Sequence, residues 1–409
     1  MKENSPFTPG SPVPVELFVG RVKEIEEVLR YLRQSSSGRQ ENVFLSGERG
    51  IGKSSFVDYL CSIATKDENF VAVHVFSGGV DNLEELVRRI FEQLINALNS
   101  QAWWEKIAKS FESFTKYINK IDVFGVSLGF NPPHADLKDL VRQFPDTIHN
   151  LTLKIKENDK RGIFIALDDI NGLSKTPDFA NWYKSFVDSI PNKYPSFPVL
   201  IMPIGLPEIR DALSEIQPSL MRIFRVVEIY KLSDNEVIKF FTNAFKKVNI
   251  QVDKTALDIL VKYSSGLPIF MHEIGDGVFW IDEDNQIDPE DAFTGIFTAA
   301  ERIGKKYLDP KVYRAIRSVQ YKSILRKVGE QKSSETFNKR EIQRILDDKE
   351  KKALNNFLTK MQELGIITQD LERGRGFYKF VNQMYFLYVR IESIRSKKEM
   401  EKRSNNKKF

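Results

Sequence analysis

Eight residues constrain this chain more than any other segment. Gly47-Glu48-Arg49-Gly50-Ile51-Gly52-Lys53-Ser54 satisfies G-x-x-x-x-G-K-[ST] at every fixed position. The segment lies between an apolar run, 42–46, and a helical pattern, 55–63, which is the strand, loop and helix context the motif requires. Glycines let the backbone close round a phosphate, and successive N–H groups and the N-terminus of the helix that Ser55 opens face its negative charge. Lys53 would reach the β and γ phosphates, and the Ser54 hydroxyl would ligate Mg²⁺. Gly47, Glu48, Arg49, Gly50, Ile51, Gly52, Lys53, Ser54 and Ser55 are therefore the expected nucleotide-binding residues.

A second element completes the site. Ile163-Phe164-Ile165-Ala166-Leu167-Asp168-Asp169 is an apolar run that delivers two carboxylates at its end, where open α/β sheets hold ligands. Asp168 is the expected metal holder, directly or through water, and Asp169 the group that orients or deprotonates the attacking water. The chain also spells a guanine-reading pattern, Asn119-Lys120-Ile121-Asp122, and a D-x-x-G, Asp169-Ile170-Asn171-Gly172. Their order is reversed relative to a GTPase and Asn119 follows no apolar strand, so ATP is the expected nucleotide.

The surroundings fit an α/β body. Short apolar runs at 42–46, 70–76, 162–168, 198–205 and 224–230 alternate with helical patterns, the mark of a parallel sheet covered on both faces. Before them, 1–17 is rich in proline and reads as an extended arm on the surface of the body, and 18–32 reads as a helix after a turn at Gly20. The segment at about 100–160 is long and aromatic, with Trp103, Trp104, Phe111, Phe114 and Tyr117, and part of it reads as an insertion. Within it Phe124, Val126, Leu128 and Phe130 alternate with small residues, as a strand packed on the body or as a contact for a partner. The body is expected to span 18–232.

Beyond it the pattern is helical over 233–303, a lid-sized domain, and then changes character. Residues 301–409 hold 28 Lys+Arg against 14 Asp+Glu, whereas 1–300 hold 33 against 42, so the two parts should have different partners. Over 304–394 three helical segments precede two strand-like runs joined by Arg373-Gly374-Arg375-Gly376, the plan of a winged helix-turn-helix; 395–409 reads as a charged tail. The third helix carries Lys351, Lys352, Asn355 and Lys360, and the wing carries Arg373 and Arg375, all suited to double-stranded DNA. Winged helices also serve as protein-binding modules. The single cysteine, the absence of a membrane-length apolar run and an N-terminus without a secretory pattern lead to the expectation of a soluble, cytoplasmic protein.

With these residues in place, the sequence resembles the AAA+ and STAND superfamily of P-loop ATPases, particularly prokaryotic ATPases related to origin-recognition proteins. Phe18-Val19-Gly20-Arg21 with Glu24 resembles the start of that ATPase module, which implies that Val19, Gly20 and Arg21 flank the adenine. Gly205-Leu206-Pro207-Glu208, Ser219-Leu220-Met221-Arg222-Ile223-Phe224 and Gly266-Leu267-Pro268 follow in the family's order, and the last implies that Pro268 of the lid meets the nucleotide. The resemblance implies that Arg222 is either a finger reaching a neighbouring subunit's γ-phosphate or an ordinary surface charge. It also shows departures: Met202-Pro203 replaces the polar sensor, the lid lacks a sensing arginine, and Asp169 is one methylene shorter than the usual glutamate. The function implied is an ATP-dependent switch, with nucleotide clamped between body and lid and DNA binding or remodelling as output. A signalling or assembly hub with a protein-binding winged helix, with ATP licensing oligomerisation, is the alternative, and a protein that holds ATP without turnover a third.

Overall fold

The computed structural model describes residues 2–99, 118–122, 126–130, 132–331 and 335–406. The chain divides into two compact units, one of residues 12–230 and one formed jointly by residues 1–11 and 231–409.

In the first unit the apolar runs become a five-stranded, all-parallel sheet of order β2-β5-β6-β1-β7. Its strands are β1 (Glu41–Ser46), β2 (Val71–Phe76), β5 (Ile163–Asp168), β6 (Val199–Gly205) and β7 (Arg225–Glu228). β1, β5 and β6 are buried along their whole length, which is why they read as unbroken apolar runs rather than as alternation. The ladder from β1 to β6 pairs Glu41 with Leu200 and Asn42 with Ile201, then Leu45 with Ile204 and Ser46 with Gly205. The break falls at Met202 and Pro203, and Pro203 has no N–H to give.

Helices α1 (Val22–Ser35), α2 (Lys53–Lys66), α3 (Leu83–Asn99), α4 (His134–Arg142), α5 (Phe144–Lys156), α6 (Pro177–Lys193), α7 (Pro207–Ile216) and α8 (Leu220–Ile223) complete the unit. α1 starts four residues later than its periodicity suggests, because Gly20 and Arg21 both take positive φ and the helix cannot run through them. The long segment before β5 is only partly an insertion: Phe144, Ile148, Leu151 and Ile155 of α5 join the same hydrophobic core as β2, β5 and β6. β3 (Ile118–Asp122) and β4 (Val126–Phe130) form a separate antiparallel pair, and Phe130 is buried against Phe91 of α3. Trp103, Trp104, Phe111, Phe114, Tyr117 and Phe124 lie outside the described residues. The guanine-reading pattern is thus strand β3 itself, in another sheet, not a loop leaving the five-stranded one.

The second unit is largely helical. α9 (Asp234–Lys247), α10 (Lys254–Ser264), α11 (Pro268–Ile281) and α12 (Pro289–Ile303) are accompanied by a two-residue parallel pair, β8 (Gln251–Val252) with β9 (Gln286–Ile287). α11 and α12 approach so closely that a Cβ on Gly277 would stand 2.6 Å from the Gly295 carbonyl oxygen. A π-helical stretch, Gly304–Tyr313, leads into α13 (Val319–Glu330). Then come β10 (Thr336–Asn338), α14 (Lys339–Ile345), α15 (Asp348–Glu363), β11 (Ile367–Gln369), β12 (Phe377–Phe380) and α16 (Gln383–Asn406). The sheet order β10-β12-β11, antiparallel throughout, with α13, α14 and α15 around a shared core is compatible with a winged helix. Its last helix runs on to Asn406, beyond the boundary at 394 expected from the charged tail.

The proline-rich arm departs from expectation. Residues 2–11 belong with the helical unit, not with the α/β body, and Phe7 is only 3% exposed. Its ring packs on Phe240, Phe241 and Phe245, and a side chain on Gly275 would strike it at 2.3 Å. Lys2 Nζ donates to the Phe279 carbonyl at 2.8 Å and pairs with Asp282, and Thr8 N donates to His272 Nδ1 at 3.0 Å. One buried aromatic ring and a charged anchor hold a segment that has no periodicity of its own. Among the described residues no helix is long and apolar enough to cross a membrane.

Candidate functional site

The site forms where β1, β5 and β6 end side by side. Gly50 and Gly52 of the loop after β1 take φ of +78° and +90°, conformations that L side chains rarely adopt. Gly47 has no room for more: a Cβ there would stand 2.8 Å from Ile229 and 3.0 Å from Ile51. Ile51 is buried and anchors the loop from within. Glu48 and Arg49 are exposed at its crest. Lys53 Nζ donates to the carbonyls of Gly47, at 2.7 Å, and Glu48, at 2.9 Å, so the ammonium already lies over the concave side of the loop. Burial lowers its pKa and Arg49 adds to that, while Asp168, Asp169 and Glu208 oppose it without cancelling it.

Ser54 Oγ donates to Asp168 Oδ2 at 2.6 Å, which joins the first turn of α2 to the end of β5. The same Asp168 oxygen lies 3.1 Å from His74 Nε2, and His74 Nδ1 lies 2.6 Å from Asp58 Oδ1 of α2. Burial disfavours charge on Asp168, but bonds from His74 and Ser54, with His74 and Lys53 as nearby cations, outweigh it and hold the carboxyl below its usual range. Burial likewise opposes a charged His74, yet the bonds to Asp168 and Asp58 lift its pKa to about 9. Sequence reasoning did not find His74. Its signal was weak: a polar residue on the half-exposed face of β2, with partners that only the fold brings near.

Asp169 follows at φ +61°, turned off the strand axis. Its Oδ1 accepts from Asn171 Nδ2, and a Cβ on Gly78 would be 3.1 Å from its Oδ2. The absence of a side chain on Gly78 leaves room there for that oxygen and for the Phe76 ring, and Asp169 is half-buried. An oxygen donor set of a hydroxyl and a carboxylate, beside an ammonium and a loop with positive-φ glycines, fits a hard divalent ion with a polyphosphate.

The motif at the start of the module has a second use. Arg21 is buried, and its guanidinium donates to the Ile51 carbonyl at 2.5 Å and to the Tyr230 carbonyl at 3.0 Å, tying the phosphate loop to the exit of β7. Val19 and Gly20 precede it, half-buried. The Ser55 hydroxyl accepts from Val13 N at 3.0 Å, which leaves its O–H and the backbone N–H as donors for a phosphate. Pro268 lies in the second unit as the first residue of α11.

Arg222 is not part of this constellation. With Arg225, Gln40 and Asn42 it lines a polar groove of about 520 Å³ at the N-terminal ends of β1 and β7, whereas the phosphate loop leaves the C-terminal end of β1. Arg225 is engaged within the chain, with Glu41 at 3.2 Å and over the Tyr31 ring at 4.9 Å. Arg222 is exposed and makes no ion pair among the described residues.

Residues 17–182 match the family model described as AAA ATPase domain. The chain carries a P-loop ATPase domain. Three solved structures share its fold over nearly its whole length. The Walker-type ATPase of Pyrococcus abyssi is 15% identical, with 91% of this chain and 96% of that one covered at a TM-score of 0.51. The Aeropyrum pernix ORC2 protein in its ADPNP–ADP complexes is 13% identical, with 96% and 98% covered at 0.58, and in its ADP form 13% identical, with 96% and 97% covered at 0.52. No curated protein matches the chain in sequence.

On α15 of this ATPase, Leu354, Phe357, Leu358 and Met361 are buried, and Lys351, Lys352, Asn355 and Lys360 are exposed. Lys360 bonds Glu363 at 3.0 Å and Lys351 is 3.6 Å from Asp348. In the β11–β12 loop Arg373 is 3.6 Å from Asp370, and Arg375 is exposed. Lys352 and Arg375 make no ion pair among the described residues.

Proposed function

We propose that this ATPase is a nucleotide-dependent switch whose output is the binding or remodelling of duplex DNA. One observation carries the reading: the same chain holds a complete phosphate-loop and acid constellation and a winged-helix-like fold that exposes Lys352, Asn355, Arg373 and Arg375.

Lys53 exchanges its bonds to the Gly47 and Glu48 carbonyls for oxygens of the β and γ phosphates, and the loop N–H groups take the rest of the polyphosphate. Ser54 donates a hydrogen bond to Asp168, so its oxygen lone pairs remain for a cation. Mg²⁺ held by Ser54 and Asp168 would neutralise charge that develops on the phosphate oxygens. Asp169 takes a proton from water at Oδ2, because Oδ1 already accepts from Asn171. The water oxygen then bonds to the γ phosphorus as the bond to the β–γ bridging oxygen breaks. Arg222, at the far end of the sheet, would act only on the site of a second copy.

A switch needs a ligand that contacts its two states differently, and the γ-phosphate, present in ATP and absent in ADP, is that ligand. The test is phosphate release by the full chain with and without double-stranded DNA, with mass measured in each nucleotide state. Stimulation by duplex supports the reading. Turnover indifferent to duplex, together with no duplex binding at low salt, would hand the role to a protein-binding hub.

A further inference from the structure

His74 is buried between two carboxylates on different elements, and the sequence motifs explain neither contact. Nε2 lies 3.1 Å from Asp168 Oδ2 and Nδ1 lies 2.6 Å from Asp58 Oδ1. An ionised carboxylate only accepts, so both ring nitrogens must donate. Asp58 stands on α2, one turn beyond Lys53 and Ser54, and Asp168 ends β5. The imidazole is therefore a rigid strut from the helix that carries the phosphate loop to the strand that carries the acid. Asp168 Oδ2 takes hydrogens from both Ser54 and His74, which leaves Oδ1 as the oxygen free to face a cation.

We propose that His74 is a positioning residue for the metal: by holding Asp168 from behind, with Asp58 fixing the ring, it sets the geometry of the Ser54–Asp168 pair. The inference rests on the metal-holding reading of those two residues. Two effects of the ring oppose each other. Its positive charge weakens the field of Asp168 on a cation, whereas its hydrogen bond removes the rotational freedom of that side chain. Outer partners of metal ligands are worth about 10- to 100-fold in metal affinity, which places orientation ahead of charge here.

The experiment measures Mn²⁺ binding to the full chain with ADP by electron paramagnetic resonance, and nucleotide binding in EDTA separately. His74→Ala should weaken Mn²⁺ by about tenfold or more and leave metal-free nucleotide affinity as it was. Asp58→Ala should give a smaller loss, Asp58→Asn almost none because its amide oxygen still accepts, and the double alanine variant no further loss than His74→Ala alone. Unchanged or tighter Mn²⁺ in His74→Ala, or losses that simply add in the double variant, would overturn the proposal. Should His74→Ala not fold, the contrast between Asp58→Ala and Asp58→Asn decides: loss in the first alone supports it, and equal affinity in both refutes it. Failure of the wild type to bind nucleotide in EDTA would instead sink the ATP-site reading itself.

Discussion

Ser54 Oγ and Asp168 Oδ2, 114 residues apart in sequence, lie 2.6 Å from each other and make one unit of the two halves of the nucleotide site. Every other group in the site is placed relative to that bond. Lys53 precedes it on the loop side and Asp169 follows it on the strand side.

Replacing Lys53 with alanine removes the charge that lies over the loop carbonyls. A hydrogen bond to a charged group contributes about 1.5–3 kcal/mol, so ATP affinity should fall by roughly 10- to 100-fold. Titration calorimetry measures this, and unchanged affinity would disprove the assignment of the site.

Asp169→Asn should bind ATP as the wild type does, since Asp168 and Ser54 are untouched. Phosphate release should drop by about 10²- to 10⁴-fold, the range for loss of a general base. Turnover at the wild-type rate would mean that another carboxylate does the work.

Arg222 lies too far along the sheet to serve its own loop. Mixing Arg222→Ala chains with Lys53→Ala chains should therefore restore part of the phosphate release that each lacks alone. A strictly monomeric mass in ATP, with no rescue, would make Arg222 an ordinary surface charge.

Arg373 and Arg375 stand on the exposed loop between β11 and β12. Each phosphate neutralised contributes about −0.9 to the log–log salt slope of duplex binding. Replacing both with alanine should make the slope shallower by about one to two and weaken all sequences alike. An unchanged slope would exclude the loop from the interface.

The buried His272, which accepts from Thr8 N, has its pKa pushed down to about 4 by desolvation. Its neutral form is favoured in the folded chain, so its stabilising effect is full above the unfolded value near 6.5 and is lost as pH falls through about 4. The loss amounts to about 3 kcal/mol. His272→Gln, whose amide oxygen still accepts, should unfold with a flatter pH profile between 6.5 and 4; identical profiles would rule the histidine out.

Much of the site was legible because it is local. Gly47 to Ser54 need only their own strand and helix, and Asp168-Asp169 announce themselves by ending an apolar run. His74 was not legible, since its meaning depends on β2 lying beside β5 and on Asp58 pointing across from α2, neither of which periodicity encodes. α5 was taken partly as insertion because nothing in its pattern says which core it faces, although Phe144, Ile148, Leu151 and Ile155 do mark a buried stripe. Phe7 gave no signal among prolines; a single ring is too short a pattern to have a period.

That ring also sets an order of events during synthesis. Phe7 is made before the whole of residues 8–239, and its seat among Phe240, Phe241 and Phe245 exists only afterwards. At translation rates of about 5–20 residues per second the wait is on the order of ten to fifty seconds. The intervening α/β body is complete in sequence before the arm can dock. The arm thus emerges well before the residues that cover it, and a chaperone that meets the nascent chain meets an uncovered phenylalanine.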